Sequence, residues 1–74
     1  MALVKKLESL TMDRNVVHGA VTTTYTIFQD PAGLKFLQID TYGSTERQIP
    51  GKKSQTLQFG PEGIAQLREV LKNL

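Results

Sequence analysis

The chain has 74 residues, of which nine are basic and seven acidic, and it contains no cysteine. A chain of this length forms one domain and buries only about 60% of its unfolded surface, so oligomerisation commonly adds to a marginal core. The composition excludes disulfides and thiolate metal sites, and no apolar run approaches the ~20 residues of a membrane span or resembles a signal peptide. We therefore expect an intracellular protein, in the cytoplasm or nucleoid, without a membrane partner.

The first fifteen residues are compatible with two kinds of element. Leu3, Leu7 and Leu10 have helical spacing, whereas residues 10–12 alternate between apolar and polar side chains. We interpret residues 1–15 as an N-terminal segment, strand or helix, packed at the edge of a sheet. Residues 16–74 are predicted to form a single domain of sheet and C-terminal helix.

A β-hairpin is predicted over residues 16–42. Residues 16–28, "VVHGAVTTTYTIF", are rich in β-branched and aromatic side chains, which favour a strand. The following turn has Pro31 at its second position and Gly33 at its fourth. Residues 34–42, "LKFLQIDTY", alternate as a second strand, with Leu37, Ile39, Lys35 and Thr41 on one face and Phe36, Gln38, Asp40 and Tyr42 on the other.

The last third of the chain predicts a turn, a strand and a helix. Residues 49–52, "IPGK", fit a type II turn, and residues 54–59 alternate as a strand. Pro61 suits the first position of a helix. The apolar stripe of that helix comprises Ile64, Leu67, Val70, Leu71 and Leu74. Strands followed by one helix indicate an α+β fold in which the helix covers one face of an antiparallel sheet of about four strands.

The residues needed for catalysis are missing from this pattern. His18 is the only histidine and is interpreted as a surface or interface imidazole. No nucleophile with a base, catalytic carboxylate pair, metal-ligand spacing or glycine-rich phosphate loop is recognisable. We expect a protein that is not an enzyme and that holds no metal or cofactor.

Aromatic and basic residues instead predict a nucleic-acid site. The sheet face opposite the helix is expected to carry Phe36 and Tyr42, with either Tyr25 or Phe28, among threonine and glutamine side chains. Such rings stack on unpaired bases, each contributing about 1–3 kcal/mol. The candidate phosphate contacts are Lys35, Arg47, Lys52 and Lys53. The alternative is that the rings form core or dimer interface and that the lysines only solvate a turn.

The order of these pieces resembles the positive-cofactor-four family of transcriptional coactivators and their bacterial and phage relatives. Residues 36–42, "FLQIDTY", are similar to its "LIDIREY" strand, and residues 50–54, "PGKKS", to its "PGKKG" turn. The Pro-Glu pair at 61–62 and "QLRE" at 66–69 are similar to its helix. The resemblance spans residues 21–74 and implies a curved antiparallel sheet, a homodimer and binding of single-stranded DNA.

The resemblance also implies roles for individual residues. Lys52 and Lys53 would contact the DNA backbone, and Phe28 and Tyr42 would lie near positions that stack on bases. The chain departs from the family pattern at Asp40, where an arginine is usual, and it lacks the family's tryptophans.

Two functions are therefore predicted. The first is a small homodimeric nucleic-acid-binding protein, single-stranded DNA being favoured, in transcription or DNA maintenance. The alternative is a protein-interaction module that uses the sheet edge or the helix stripe without nucleic acid. The choice between DNA and RNA and any sequence preference stay open at this point.

Overall fold

The computed structural model describes residues 1–43 and 53–74. It contains the strands β1 (Ala2–Val4), β2 (Thr23–Gln29), β3 (Lys35–Tyr42) and β4 (Lys53–Phe59) and the helix α1 (Pro61–Leu71). The strands form one four-stranded sheet in the order β1-β4-β3-β2. The α+β layout with a C-terminal helix is thus confirmed. In the part of the chain that is described, no helix is long and apolar enough to cross a membrane.

The sheet is mixed. β2 pairs with β3 and β3 with β4 in antiparallel fashion, as expected, but β1 runs parallel to β4, with Leu3 opposite Gln58. The prediction of an antiparallel sheet is therefore wrong at this edge. A three-residue strand carries too few side chains to reveal its direction, which only its hydrogen bonds to β4 determine.

The β2–β3 hairpin has the predicted turn. The Gly33 N–H donates to the Asp30 carbonyl at 2.9 Å, and Gly33 has a φ of 85°, which a glycine adopts without steric cost. Asp30 Oδ1 accepts hydrogen bonds from the backbone N–H groups of Ala32 and Leu34 at 3.0 and 2.9 Å. This type of three-residue connection, a turn closed by a left-handed glycine, holds the two strands in register.

The first strand of the hairpin is shorter than predicted. The sequence favoured a strand over residues 16–28, but residues 16–22 are not in a strand and β2 begins at Thr23. Thr23 pairs with Thr41, and the last contact beyond it joins the Tyr42 N–H to the Thr22 carbonyl at 2.9 Å. Since β3 ends at Tyr42, the β-branched residues before Thr22 have no strand beside them in the described residues, and propensity alone does not make a strand.

The helix begins at Pro61, as predicted, and packs over one end of the sheet. Gly63 faces the Val4 carbonyl and the ring of Phe59, and it leaves no room for a side chain there. Ile64 and Leu67 continue along the same sheet face toward β3 and β2. Among the described residues, Phe59 is the only hydrophobic side chain that is buried, at 6% exposure. The core under the helix is therefore small.

Candidate nucleic-acid interface

The pairing register divides the sheet into two chemically different faces. We call the polar face the one formed by Thr24, Thr26, Phe28, Phe36, Gln38, Asp40, Tyr42, Thr56 and Gln58. The opposite, apolar face carries Tyr25, Ile27, Leu37, Ile39, Leu57 and Phe59. The helix packs on the apolar face, so the polar face is the one that α1 leaves open.

Two phenylalanines form an aromatic pair at one end of the polar face. Phe28 and Phe36 are opposite each other in the hairpin, with ring centroids 5.5 Å apart and an interplanar angle of 11°. Both rings are half-buried. A cleft of about 410 Å³ opens beside Phe36, and its lining includes Leu3, Lys5 and Pro61. The cleft is mostly apolar, and its lining carries one basic residue, Lys5, and one acidic residue, Glu62, at the start of α1.

A carboxylate lies in the middle of this face. Asp40 is only 2% exposed and accepts a hydrogen bond from Thr56 Oγ1 at 2.6 Å and another from Gln38 Nε2 at 3.0 Å. The Lys53 ammonium lies 3.4 Å from Asp40 Oδ2. The hydrogen bond from Thr56, followed by that from Gln38 and the contact with Lys53, outweighs desolvation and lowers the pKa of Asp40. The carboxylate is therefore ionised at neutral pH and well satisfied.

The hydrogen bonds continue outward from Asp40 across the sheet. Gln58 Nε2 donates to Gln38 Oε1 at 2.9 Å, so the two amides and the carboxylate form a chain. On the other side of Asp40, the hydroxyl groups of Thr24 and Tyr42 are 3.0 Å apart. No buried side-chain nitrogen or oxygen of the described residues lacks a hydrogen-bond partner. The polar face is thus ordered by its own side chains before any ligand binds.

Most of the predicted site residues within the described ranges share this face. Phe28, Phe36 and Tyr42 belong to it, and Lys53 reaches it through Asp40. Lys35 lies on the opposite side, where it borders a groove next to the helix. The predicted Pro-Gly turn, with Arg47 and Lys52, is outside the described residues.

Two glutamines of the polar face and one lysine of the neighbouring cleft contribute to the site but were not predicted as site residues. Gln38 and Gln58 had a detectable signal, since both alternate in sequence with inward-facing apolar residues and so had to lie opposite the helix. Lys5 had none, because only the pairing of β1 with β4 brings it to the cleft beside Phe36.

Comparisons with family models, curated proteins and solved structures found no match to this chain.

Proposed function

We propose that this protein binds single-stranded nucleic acid, with DNA favoured, on the polar face of its sheet, as a homodimer and without catalysing a reaction. The observation that carries the proposal is the stacked pair of Phe28 and Phe36 next to a row of amide and hydroxyl groups, on the face that the helix leaves open. The resemblance to single-stranded-DNA-binding coactivators supports it, and with it a role in transcription or DNA maintenance and a sheet curved around the bound strand.

The arrangement of rings favours an unpaired strand over a duplex. Half-buried rings on a sheet surface can stack on bases that are unpaired and not held in a duplex stack. In a duplex the bases are already stacked and show only their edges in the grooves. Lys5 borders the cleft beside Phe36, and Lys53 lies at the other end of β3, near Tyr42. Since a strand rises ~3.3 Å per residue, these cations are separated by roughly 20 Å, a distance that suits several nucleotides.

The apolar face supports the dimer. The chain has an accessible surface of 6656 Å², whereas a compact monomer of its mass would expose about 4,500 Å². Its radius of gyration is 14.6 Å, against about 11 Å for a compact domain of this length. Ile27 and Tyr25 are 65% and 72% exposed on the apolar face. A second copy seated there would cover these side chains in an interface of ordinary size, about 800 Å² on each chain.

A titration followed by fluorescence anisotropy tests the proposal. The probe is a labelled single strand of about 20 nucleotides, titrated at low and moderate salt with unlabelled duplex as competitor. We expect binding that weakens with salt and prefers the single strand. Phe36→Leu should weaken it by about fivefold or more, since one stacked base contributes ~1–3 kcal/mol. Tyr25→Leu, which removes a ring from the opposite face, is the matched control and should bind like the wild type when both are dimers.

Three results would count against the proposal. Absence of binding at low salt would favour the protein-interaction alternative, in which the sheet edge or the helix stripe docks another protein. A preference for the duplex would overturn the assignment to single strands. Equal losses in Phe36→Leu and Tyr25→Leu would show that the polar face is not the binding surface.

A further inference from the structure

We infer that the Gln38–Gln58 amide pair makes the polar face prefer cytosine and adenine, which carry an amino group at C4 or C6, over uracil and thymine, which carry a carbonyl at C4. This inference rests on the proposed function, since it concerns which bases of a single strand the face holds most tightly. The direction of the hydrogen bonds between the two amides and Asp40 decides whether the face offers a donor or an acceptor to a ligand.

Asp40 determines the orientation of both amides. An ionised carboxylate only accepts hydrogen bonds, so Gln38 must turn its Nε2 toward Asp40, as it does at 3.0 Å. Its Oε1 then faces Gln58, which must donate in turn, through Nε2 at 2.9 Å. The side-chain carbonyl oxygen of Gln58 is then the last acceptor in this series of hydrogen bonds. No donor among the described residues reaches this oxygen, and since no buried polar atom there is unpaired, the oxygen is open to solvent.

The opposite orientation is costly. If Gln58 turned its amino group outward to meet a carbonyl of uracil or thymine, its own oxygen would face Gln38 Oε1 and two acceptors would be in contact. Gln38 could relieve this only by turning its oxygen toward the carboxylate of Asp40, which would lose a hydrogen bond to a charged group. Both glutamines are half-buried, so water replaces the lost hydrogen bonds only in part. The hydrogen bonds that link Asp40, Gln38 and Gln58 therefore keep their direction, and the face favours a ligand that donates a hydrogen bond to Gln58.

The amide pair lies where a stacked base would present its edge. Gln38 is two residues from Phe36 on the same face of β3, about 7 Å along the strand, and Gln58 lies directly across from Gln38 on β4. A base stacked against the aromatic pair has its edge within reach of the Gln58 oxygen. Cytosine N4 and adenine N6 can donate to this oxygen, whereas uracil and thymine have a carbonyl at the corresponding position. Their only donor on this edge, N3–H, lies between two carbonyl oxygens that would repel the Gln58 oxygen, so it is the weaker partner.

The test compares oligomers of deoxycytidine and deoxyuridine, each about 15 nucleotides long, at pH 7.5 and moderate salt. The two bases have the same ring size, and neither carries a methyl group. Cytosine has an amino group at C4 and no proton on N3, whereas uracil has a carbonyl at C4 and a proton on N3. We expect the cytosine oligomer to bind the wild-type protein about two- to tenfold more tightly, the range of one hydrogen bond. Gln58→Met should bring the ratio near one. Gln55→Met, on the same strand and the opposite face, should leave it unchanged.

Each outcome decides the inference. Equal affinities, or a preference for uracil, would overturn it while leaving single-strand binding intact. A cytosine preference that survives Gln58→Met would also overturn it, since another group would then read the base. If Gln58→Met does not fold, as judged by circular dichroism, Gln38→Met replaces it, and the wild-type ratio decides in either case. Failure of both oligomers to bind would overturn the proposed function together with the inference.

Discussion

The hydroxyl of Thr56 donates a hydrogen bond of 2.6 Å to Oδ1 of Asp40, and both residues are buried in the middle of the polar face. A carboxylate is an unexpected group on a surface proposed to meet phosphates. Here its charge is met by three donors, the Thr56 hydroxyl, the Gln38 amide and the Lys53 ammonium. We infer that Asp40 serves to orient the neighbouring amides and that it weakens the attraction of the face for phosphate.

Thr56→Val should raise the pKa of Asp40 toward its usual value of 3.8, since the hydrogen bond from Thr56 is the largest cause of its lowering. The shape of the side chain is nearly conserved, so the change isolates the hydroxyl. Carboxyl-detected NMR titration of the two proteins measures the shift. Thr24→Val is the control, because Thr24 lies opposite Asp40 on β2 but its hydroxyl contacts Tyr42. An unchanged pKa in Thr56→Val would contradict this account of Asp40.

Acid should destabilise the fold partly through Asp40. The pKa of this carboxyl is lower in the folded chain than the 3.8 of an unperturbed group, so its contribution to stability is fully present above pH 3.8. The contribution is lost as the pH falls from 3.8 through the lowered folded pKa. The free energy of unfolding of Asp40→Asn, measured in urea, should therefore depend less on pH than that of the wild type in this acidic window. At higher pH the two proteins should show the same pH dependence. If the unfolding free energies of the two proteins change in parallel at every pH, Asp40 titrates alike in the folded and the unfolded chain.

Asp40→Asn should also tighten binding to single-stranded DNA. The change removes a negative charge from the proposed interface and releases the Lys53 ammonium, which lies 3.4 Å from the carboxylate. We expect a gain of about fivefold at low salt, the scale of one charge–charge contact in water, and a steeper salt dependence. Anisotropy titrations at several salt concentrations measure both. Asp13→Asn makes the same change in net charge at an exposed position between β1 and β2 and should have little effect. A gain shared by both variants would point to net charge alone.

Ile27→Lys should dissociate the proposed dimer. Ile27 is 65% exposed in one chain and borders the groove beside Leu67 and Leu71, so a lysine there is tolerated in a monomer. In a dimer that covers the groove, the ammonium would be buried without a partner, and the dissociation constant should rise by about tenfold or more. Sedimentation equilibrium measures it. Thr26→Lys is the matched control, because the neighbouring residue projects from the polar face. A monomeric wild type, or equal effects in both variants, would rule out this dimer interface.

Gly63→Ala should destabilise the protein although alanine is the better helix former. A Cβ at this position would overlap the carbonyl oxygen of Val4 and approach the Phe59 ring at 3.3 Å, so the helix would have to move away from β1. Overpacking of this kind costs about 1–3 kcal/mol, which exceeds the ~1 kcal/mol that alanine gains in helix propensity. Urea unfolding measures the difference. Gly19→Ala, where nothing lies within 4 Å of the added carbon, should be neutral or slightly stabilising. A stabilised Gly63→Ala would show that α1 does not press on β1.

Features of this protein that depend on local chemistry can be predicted from its residues alone. The Asp30–Gly33 turn is encoded by an aspartate whose carboxylate accepts hydrogen bonds from the backbone N–H groups of Ala32 and Leu34, a proline with a preset φ and a glycine at a positive φ. Alternation with a period of two then assigned Phe36 and Gln38 to the face opposite Leu37, and Pro61 marked the start of the helix. These features need no distant partner, so their residues suffice to predict them.

Features that depend on hydrogen bonds between distant residues become visible only once the strands are paired in three dimensions. The parallel direction of β1 is visible only in its pairing with the free edge of β4, and β2 stops near Thr22 because β3 ends at Tyr42. The same pairing of β3 with β4 places Thr56 and Gln58 beside Asp40 and Gln38, which lie 16 to 20 residues away in the chain. No pattern within either strand encodes this contact, so the orientation of the amides, and with it the proposed base preference, follows from the register of the sheet.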